Sequence, residues 1–320
     1  MLLYLLLLAF IGTSTQLNIK DTVHRWAPLI RLAKNEPWKP SSVEFFLKHT
    51  KITHGSGPTN LTPSNLPSCD SGCFLTTKDK MKSASTSSLA VFKGQSVSKV
   101  PVYAFVDRDE PEEISIQYYT FYPYNRGKTI CIGVAGSGKC KLKILGKCIV
   151  RIPKCSGFTK SFGHHVGDWE GIKVVLKSSD GSPKYIQFKA HGKEYTYNYK
   201  SNTKKFTDKN GESIRFYGSH PIVYSAFGSH GCRIKPGSHT YKTIAGNNKL
   251  IDVTSDGTKW KTWRKIKIIF KKELGQYTGD EKWVNFLGRW GNKRRECGFW
   301  DLVAGICVLN SGPKGPNKSL

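Results

Sequence analysis

Apolar and polar residues alternate along the middle of the chain. PVYAFV, EISIQYYTFY, EGIKVVL, KYIQFKA, EYTYNY, PIVYSAF and WRKIKIIF are short, β-branched and aromatic, and Gly, Asn, Asp and Pro clusters separate them. A period of two sends successive side chains to opposite faces of a strand. Seven or more such strands, with no strand–helix–strand rhythm, predict an all-β protein built as an antiparallel β-sandwich. The pattern assigns residues 99–310 to the sandwich domain.

The residues before it read differently. Residues 16–98 form an N-terminal segment that Pro28, Pro37 and Pro40 break into short pieces. Ser41 or Ser42 is expected to cap a short helix through VEFFLKH, with Glu44 in its first turn. THGSGPTNLTPSNLPSCDSG and KSASTSS are rich in Ser, Thr, Gly and Pro and read as a surface loop. Residues 311–320, SGPKGPNKSL, are expected to fray as a tail. The opening MLLYLLLLAFIGTST, residues 1–15, reads as a signal peptide, with a signal anchor as the rival reading. Its apolar run is too short to span a bilayer, which needs about 20 residues. No later stretch is long and apolar enough to cross a membrane. The expected localisation is therefore secreted and extracellular, with no transmembrane segment once the signal is removed.

Secretion changes how the nine cysteines are read. All lie after residue 68, and in an oxidising compartment they are disulfide candidates first. Cys69 and Cys73 suit a small loop closure. Cys131, Cys140, Cys148 and Cys155 suggest two bridges within a Cys-rich insertion at 131–155. Cys232, Cys297 and Cys307 remain, and the odd total leaves one thiol free or bonded to another chain. No CxxC pair is present, which argues against a zinc ribbon.

The formal net charge is +27, from 50 basic and 23 acidic residues. Such a surface attracts acidic lipid, sulfated glycan or nucleic acid. Neither paired zinc-finger ligands nor an RNP strand is present, and a secreted protein meets little nucleic acid. The expected partners are anionic or glycosylated membrane lipids or glycans.

Against this basic background, FGHHVGDWEGIKVVL gathers two histidines, an aspartate and a glutamate within seven residues. On a strand, Asp168 and Glu170 project together and Trp169 projects the other way, toward a core beside Ile172 and Val174. His164 and His165 approach through a bend at Gly167. Convergent carboxylates repel unless a proton or cation sits between them. The set suits calcium or magnesium, and an imidazole in the shell brings in manganese or zinc. The other reading pairs both acids with surface lysines. YSAFGSHGCRIKPGSHTY adds Gly228-Ser229-His230 and Gly237-Ser238-His239. His230 is a further ligand or a general base if its loop lies beside Asp168. A Ser-His-Asp hydrolase is a third possibility, without a GxSxG elbow to support it. DRDEPEE, from Asp107 to Glu113, reads as a solvated hairpin tip.

WAPLIRLAKNEPWKPSSVEFFL, VYAFV with IQYYTFYPYNRGK, HHVGDWEGIKV, YSAFGSHGCRIKPGSHTY and FLGRWGN together resemble the vacuolar protein sorting-associated protein 62 (Vps62-related) family. They occur in that family's order across most of residues 25–292. GDWE is also similar to the GHRHDWE signature of necrosis- and ethylene-inducing-like toxins, over about seven residues. That second resemblance implies a divalent-cation site on a β-sandwich that engages a membrane sphingolipid. Carried over, the resemblances imply a metal site of His165, Asp168 and Glu170, with His230 joined to it from the GSH element of the first family. The cysteine-rich insertion and the longer GHHVGDWE spacing depart from the two patterns.

Three functions remain open at this point. The first is a basic secreted β-sandwich that binds membrane or glycoconjugate surfaces through a divalent-cation site, toxin- or defence-like. The second is a metal-dependent hydrolase of phosphate or glycosyl bonds, with His165 or His230 moving the proton. The third is a matrix-binding protein that acts through charge alone.

Overall fold

A computed structural model of the protein describes residues 17–69, 72–81, 89–132, 135–136, 140–144, 146–151, 154–155, 157–244, 248–295, 297–298 and 307–316. The signal-peptide residues expected at 1–15 lie outside the described residues, and so do the side chains of Cys140, Cys148 and Cys155, on which the bridges expected in the insertion depend. Cys131 is disulfide-bonded.

All seven strands expected from periodicity form. The central sheet has seven strands in the order Lys205–Thr207, Lys193–Lys200, Pro183–Ala190, His165–Lys177, Glu113–Asn125, Val102–Asp107 and Ile266–Phe270. Every pair is antiparallel except the last, which is parallel. A second sheet runs Phe216–Tyr217, His220–Ser225, Leu29–Arg31 and Lys259–Lys261, with Cys232–Arg233 paired to His220–Ser225. The N-terminal segment thus supplies a strand to the interior of this second sheet.

The two sheets pack through an apolar core. Ala104, Ile116, Tyr118, Ile172, Val174 and Phe188 meet Ile30, Val223 and Trp260 there. The other face of the seven-stranded sheet is covered as well. Tyr103, Phe105, Tyr119 and Phe121 pack under Phe46, Phe92, Trp283 and Trp290. Burial on both faces explains why EISIQYYTFYPYN is buried at nearly every position and carries apolar or aromatic residues at adjacent positions rather than only at alternate ones. Ser42 caps the helix Val43–Lys48 by accepting from the Phe45 N–H, as its sequence predicts.

The two faces correct one expectation. Ile172 and Val174 share the inter-sheet face with Tyr122. Trp169 sits on the opposite face, stacked on Trp283 at 5.6 Å and edge-on to Trp290 at 5.2 Å. The period of two that separates Trp169 from Asp168 also separates it from Ile172.

The C-terminal segment is fastened rather than frayed through Pro316. Trp290 N–H donates to the Pro313 carbonyl, and His164 N–H donates to the Val308 carbonyl. Cys297 and Cys307 form a disulfide, as do Cys69 and Cys73. Among the described residues Cys232 is a free thiol, buried between the sheets, and burial pushes its ionisation well up.

Strand His165–Lys177 and the GRWGN segment interlock at two glycines. A Cβ on Gly167 (φ +71°) would lie 1.8 Å from the Trp290 carbonyl oxygen, and one on Gly291 would lie 1.9 Å from that of Val166. Only glycine accepts both the left-handed backbone and the contact at position 167. Gly167→Ala is expected to lose about 2–4 kcal/mol of stability in urea denaturation, from backbone strain plus overlap. Gly192→Ala, left-handed but with open space around it, is the milder comparison.

Candidate functional site: a cleft with two buried histidine–aspartate pairs

The cleft exists because neighbouring strands differ in length. Strand His165–Lys177 pairs with Glu113–Asn125 along its whole length. On its other side the pairing with Pro183–Ala190 begins only at Ile172. Residues His165–Glu170 therefore pass beyond their neighbour, and the His191-Gly192 turn hangs beside them. A cavity of about 330 Å³ opens here, lined by His165, Asp168, Glu170, His191, Lys128 and Tyr241, among others. A second cavity of about 280 Å³ adjoins it and shares Trp169, Glu170, His191 and Gly192, with Lys189, Lys193 and Pro316 on its wall.

All four sequence-predicted residues come together, in two different roles. His165, Asp168 and Glu170 line the cavity. His230 lies underneath, fully buried, with its ring stacked on Tyr122 at 3.8 Å and 7°. Its Nε2 donates to the Trp38 carbonyl at 3.1 Å, and its Nδ1 faces Asp168 Oδ2 at 3.2 Å. A carbonyl can only accept, so Nε2 carries a proton. The contact between Nδ1 and the carboxylate then needs a second proton, held on one partner or the other. Both His230 nitrogens are thereby committed, and His230 positions Asp168 rather than facing the cavity.

His165 has the opposite arrangement. Its Nδ1 donates to the Gly167 carbonyl at 2.6 Å, which leaves the Nε2 lone pair as its second site. Burial lowers its proton affinity, and the Asp168 charge opposes that. His164, next to it in sequence, is a structural histidine. Its Nδ1 accepts from the Gly127 N–H at 3.2 Å and lies 2.6 Å from the Tyr124 hydroxyl oxygen. Burial holds its pKa down at about 4.

The second pair was not apparent from the sequence. Asp252 is completely buried. It accepts from His191 Nε2 at 2.9 Å, Arg233 at 2.8 Å and Ser229 Oγ at 2.7 Å, with Lys128 Nζ at 3.5 Å. Burial alone would raise its pKa. The His191 hydrogen bond and charge, with those of Lys128 and Arg233, hold it far below the usual carboxylate range. His191 also stacks on Tyr241 at 3.5 Å. Two signals mark this pair. His191-Gly192 falls in the turn between two clear strands, and Asp252 is an acid on the buried face of LIDVT. Ser229 donates to Asp252 rather than to a histidine, so the Ser-His-Asp order of a serine hydrolase is absent here. Glu36, pushed up by burial, accepts from the Gly228 and Trp38 N–H groups and pins the His230 loop to the N-terminal segment.

Among the described residues, no group of three or more His, Cys, Asp and Glu side chains is gathered closely enough to hold a metal ion. His165, Asp168 and Glu170 nevertheless all line the one cavity.

No family model matches the chain. Vacuolar protein sorting-associated protein 62 of Saccharomyces cerevisiae is 22% identical over 340 aligned positions, covering 93% of this chain and 65% of that protein. A second protein of the same yeast, named "Putative vacuolar protein sorting-associated protein TDA6", is 24% identical over 93% of this chain and 66% of its own length. The resemblance expected from the motifs therefore runs along nearly the whole chain. The chain spans just under two thirds of the length of these relatives. Among solved structures, Necrosis and Ethylene inducing Protein 2, from the causal agent of cocoa's Witches Broom disease, aligns at TM-score 0.35 and 12% identity, over 91% of this chain and 83% of that one. NLPPya in complex with mannosamine aligns at 0.32 and 12% identity, over 84% and 79%. Likenesses this loose carry no argument about a ligand.

The two aspartates should respond differently to the same substitution. Asp252→Asn strands Arg233 and Lys128 without their counter-charge, and a loss of about 3–5 kcal/mol is expected. Asp168→Asn lets the amide N–H donate to His230 Nδ1, and stability in urea should stay within about 1 kcal/mol of wild type. The Asp252 contribution has a depressed folded pKa. It is complete above the ordinary carboxylate value near pH 4 and is lost as pH falls further toward the folded value. Acid titration of stability should show this loss in the wild type and not in Asp252→Asn.

Proposed function

We propose that the cleft is a recognition site for a hydroxyl-rich polar group, a sugar or a glycosylated lipid headgroup, at a membrane or glycan surface. One observation carries this reading. Asp168 and Glu170 line a cavity to which Trp169 and Tyr241 also contribute, in a protein of net charge +27. Carboxylates accept hydrogen bonds from hydroxyls, and aromatic faces stack on the C–H faces of sugar rings. The excess of lysine and arginine supplies long-range attraction to an anionic surface. The disulfides Cys69–Cys73 and Cys297–Cys307 support an oxidising, extracellular setting. A toxin- or defence-like role would follow from binding of this kind at a foreign membrane.

A divalent cation belongs to the proposal as an aid to recognition. Calcium or magnesium fits the two carboxylates best, and manganese or zinc suits the imidazole. His165, Asp168 and Glu170 line the cavity but are not gathered closely enough to hold it as they stand, so binding would have to draw them together. His230 would act through Asp168. The His165 Nδ1 hydrogen bond to a backbone carbonyl supports this, because metal-bound histidines are oriented in that way.

The His191–Asp252 pair favours a second reading, a hydrolase of phosphate or glycosyl bonds. An imidazole oriented by a buried aspartate keeps its other nitrogen for proton transfer. Turnover of a phosphodiester or glycoside, abolished in His191→Ala, would decide for it.

The test is co-sedimentation with phosphatidylcholine vesicles containing glucosylceramide, phosphatidylserine, or neither. Runs with calcium and with EDTA are compared, for wild type and the Asp168→Asn, Glu170→Gln double variant. Binding to glucosylceramide vesicles is expected to fall at least about tenfold in the double variant. If calcium contributes, EDTA should act on the wild type and not on the variant. Equal binding by both proteins would overturn the proposal and leave charge alone as the cause of attachment.

A further inference from the structure

The outer face of the second sheet carries an aromatic and cationic surface well away from the cleft. His220 stacks on Trp263 with ring centroids 3.6 Å apart and planes 3° apart. Tyr217 extends the stack at 6.1 Å and 22°, and it is 49% exposed. Lys261 Nζ lies 5.5 Å from the centre of the Tyr217 ring. The exposed Arg264 follows Trp263, and the exposed Arg215 precedes the strand that carries Tyr217. Among the described residues, Lys261, Arg264 and Arg215 have no carboxylate partner.

The fold holds these rings flat. His220 Nδ1 donates to the Ala27 carbonyl at 2.8 Å, which fixes its plane. Trp263 packs against Leu29, Ile222 and Tyr224. Tyr217 pairs with His220 across a tight turn. The six-residue strand that begins at His220 ends at Ser225, beside the His230 loop. At about 3.3 Å per residue, the stack lies roughly 17 Å or more from the cleft.

We propose that this surface is a second, independent binding site, for a sulfated polysaccharide. Flat, fixed rings offer a stacking platform for the apolar face of a sugar. Unpaired guanidinium and ammonium groups around it meet sulfate oxygens. Rings held against the sheet do not project, which separates this surface from a bilayer-inserting tip. The disulfides favour a compartment where sulfated glycans are plentiful and nucleic acid is scarce.

The test is binding of a heparin octasaccharide at physiological salt by calorimetry, with an unsulfated octasaccharide of the same backbone as the comparison. Tyr217→Ala and Lys261→Ala are each expected to weaken heparin binding about five- to tenfold, without lowering the thermal midpoint. Lys51→Ala removes one exposed charge from the strand Thr50–Thr53 and should change affinity less than about twofold. Glu170→Gln in the cleft should bind heparin like the wild type, so failure here and failure of the cleft reading are separable. The proposal is overturned if Tyr217→Ala binds undiminished, or if Lys51→Ala costs as much as Lys261→Ala. It is likewise overturned if poly(U) binds as tightly as heparin and is lost in the same variants, because the site would then serve single-stranded nucleic acid.

Discussion

The cleft depends on one buried imidazole. His230 touches three separate parts of the chain: the Trp38 carbonyl, the Tyr122 ring and the Asp168 carboxylate. Each contact fixes a wall. The first ties the N-terminal segment to the loop, the second lays the loop on the central sheet, and the third aims Asp168. Glu36 adds a further tie through Gly228, whose carbonyl in turn accepts from Arg126 N–H. Four of the five sequence motifs therefore meet around one side chain that does not face the cavity. The fifth, FLGRWGN, closes on GDWE through the paired glycines Gly167 and Gly291.

This arrangement also explains why acids gather in a protein with a net charge of +27. Carboxylates in a partly buried wall must be neutralised locally, because desolvation strengthens every charge. Asp252 is matched by Arg233, Lys128 and His191, and Asp168 by the proton it shares with His230. Surface lysines play little part in either balance. The acids and the basic surface thus act over different distances. The surface field works beyond the molecule and weakens with salt, whereas the paired acids work by contact and are shielded from salt.

Strands were the most legible feature of the sequence, because a period of two survives in any sheet with one solvated face. The same rule puts Trp169 and Ile172 on opposite faces, and both are apolar because the sheet is buried on both, so closeness in sequence does not tell which core a residue joins. Asp168, Glu170 and His165 were legible as a cluster because they are close in sequence. His230 came from its motif, but its role did not, because the direction of an imidazole depends on partners nearly two hundred residues away. His191 and Asp252 were missed for the same reason. Neither sits in a conspicuous motif, and 60 positions separate them in the chain. The cleft itself follows from the unequal reach of two neighbouring strands, and register is a property of pairing rather than of either strand alone.

His191 and His230 share a feature that bears on how the cleft works. Both occupy left-handed backbone, at φ +52° and +58°, where a non-glycine residue is uncommon. Each such residue costs about 1 kcal/mol or more. A glycine follows each histidine and would relieve the strain if the turn shifted by one residue. The turns do not shift, because each ring is locked onto a buried aspartate and an aromatic face. Hydrogen bonds to a buried charge, worth about 1.5–3 kcal/mol apiece, outweigh the backbone cost. Geometry fixed in this way is set before any ligand arrives. A ligand that matches it binds without first ordering the wall, which lowers the entropic cost of recognition. The same rigidity limits what the cleft accepts, since a wall pinned from beneath by His230 and Asp252 cannot open to admit a larger group.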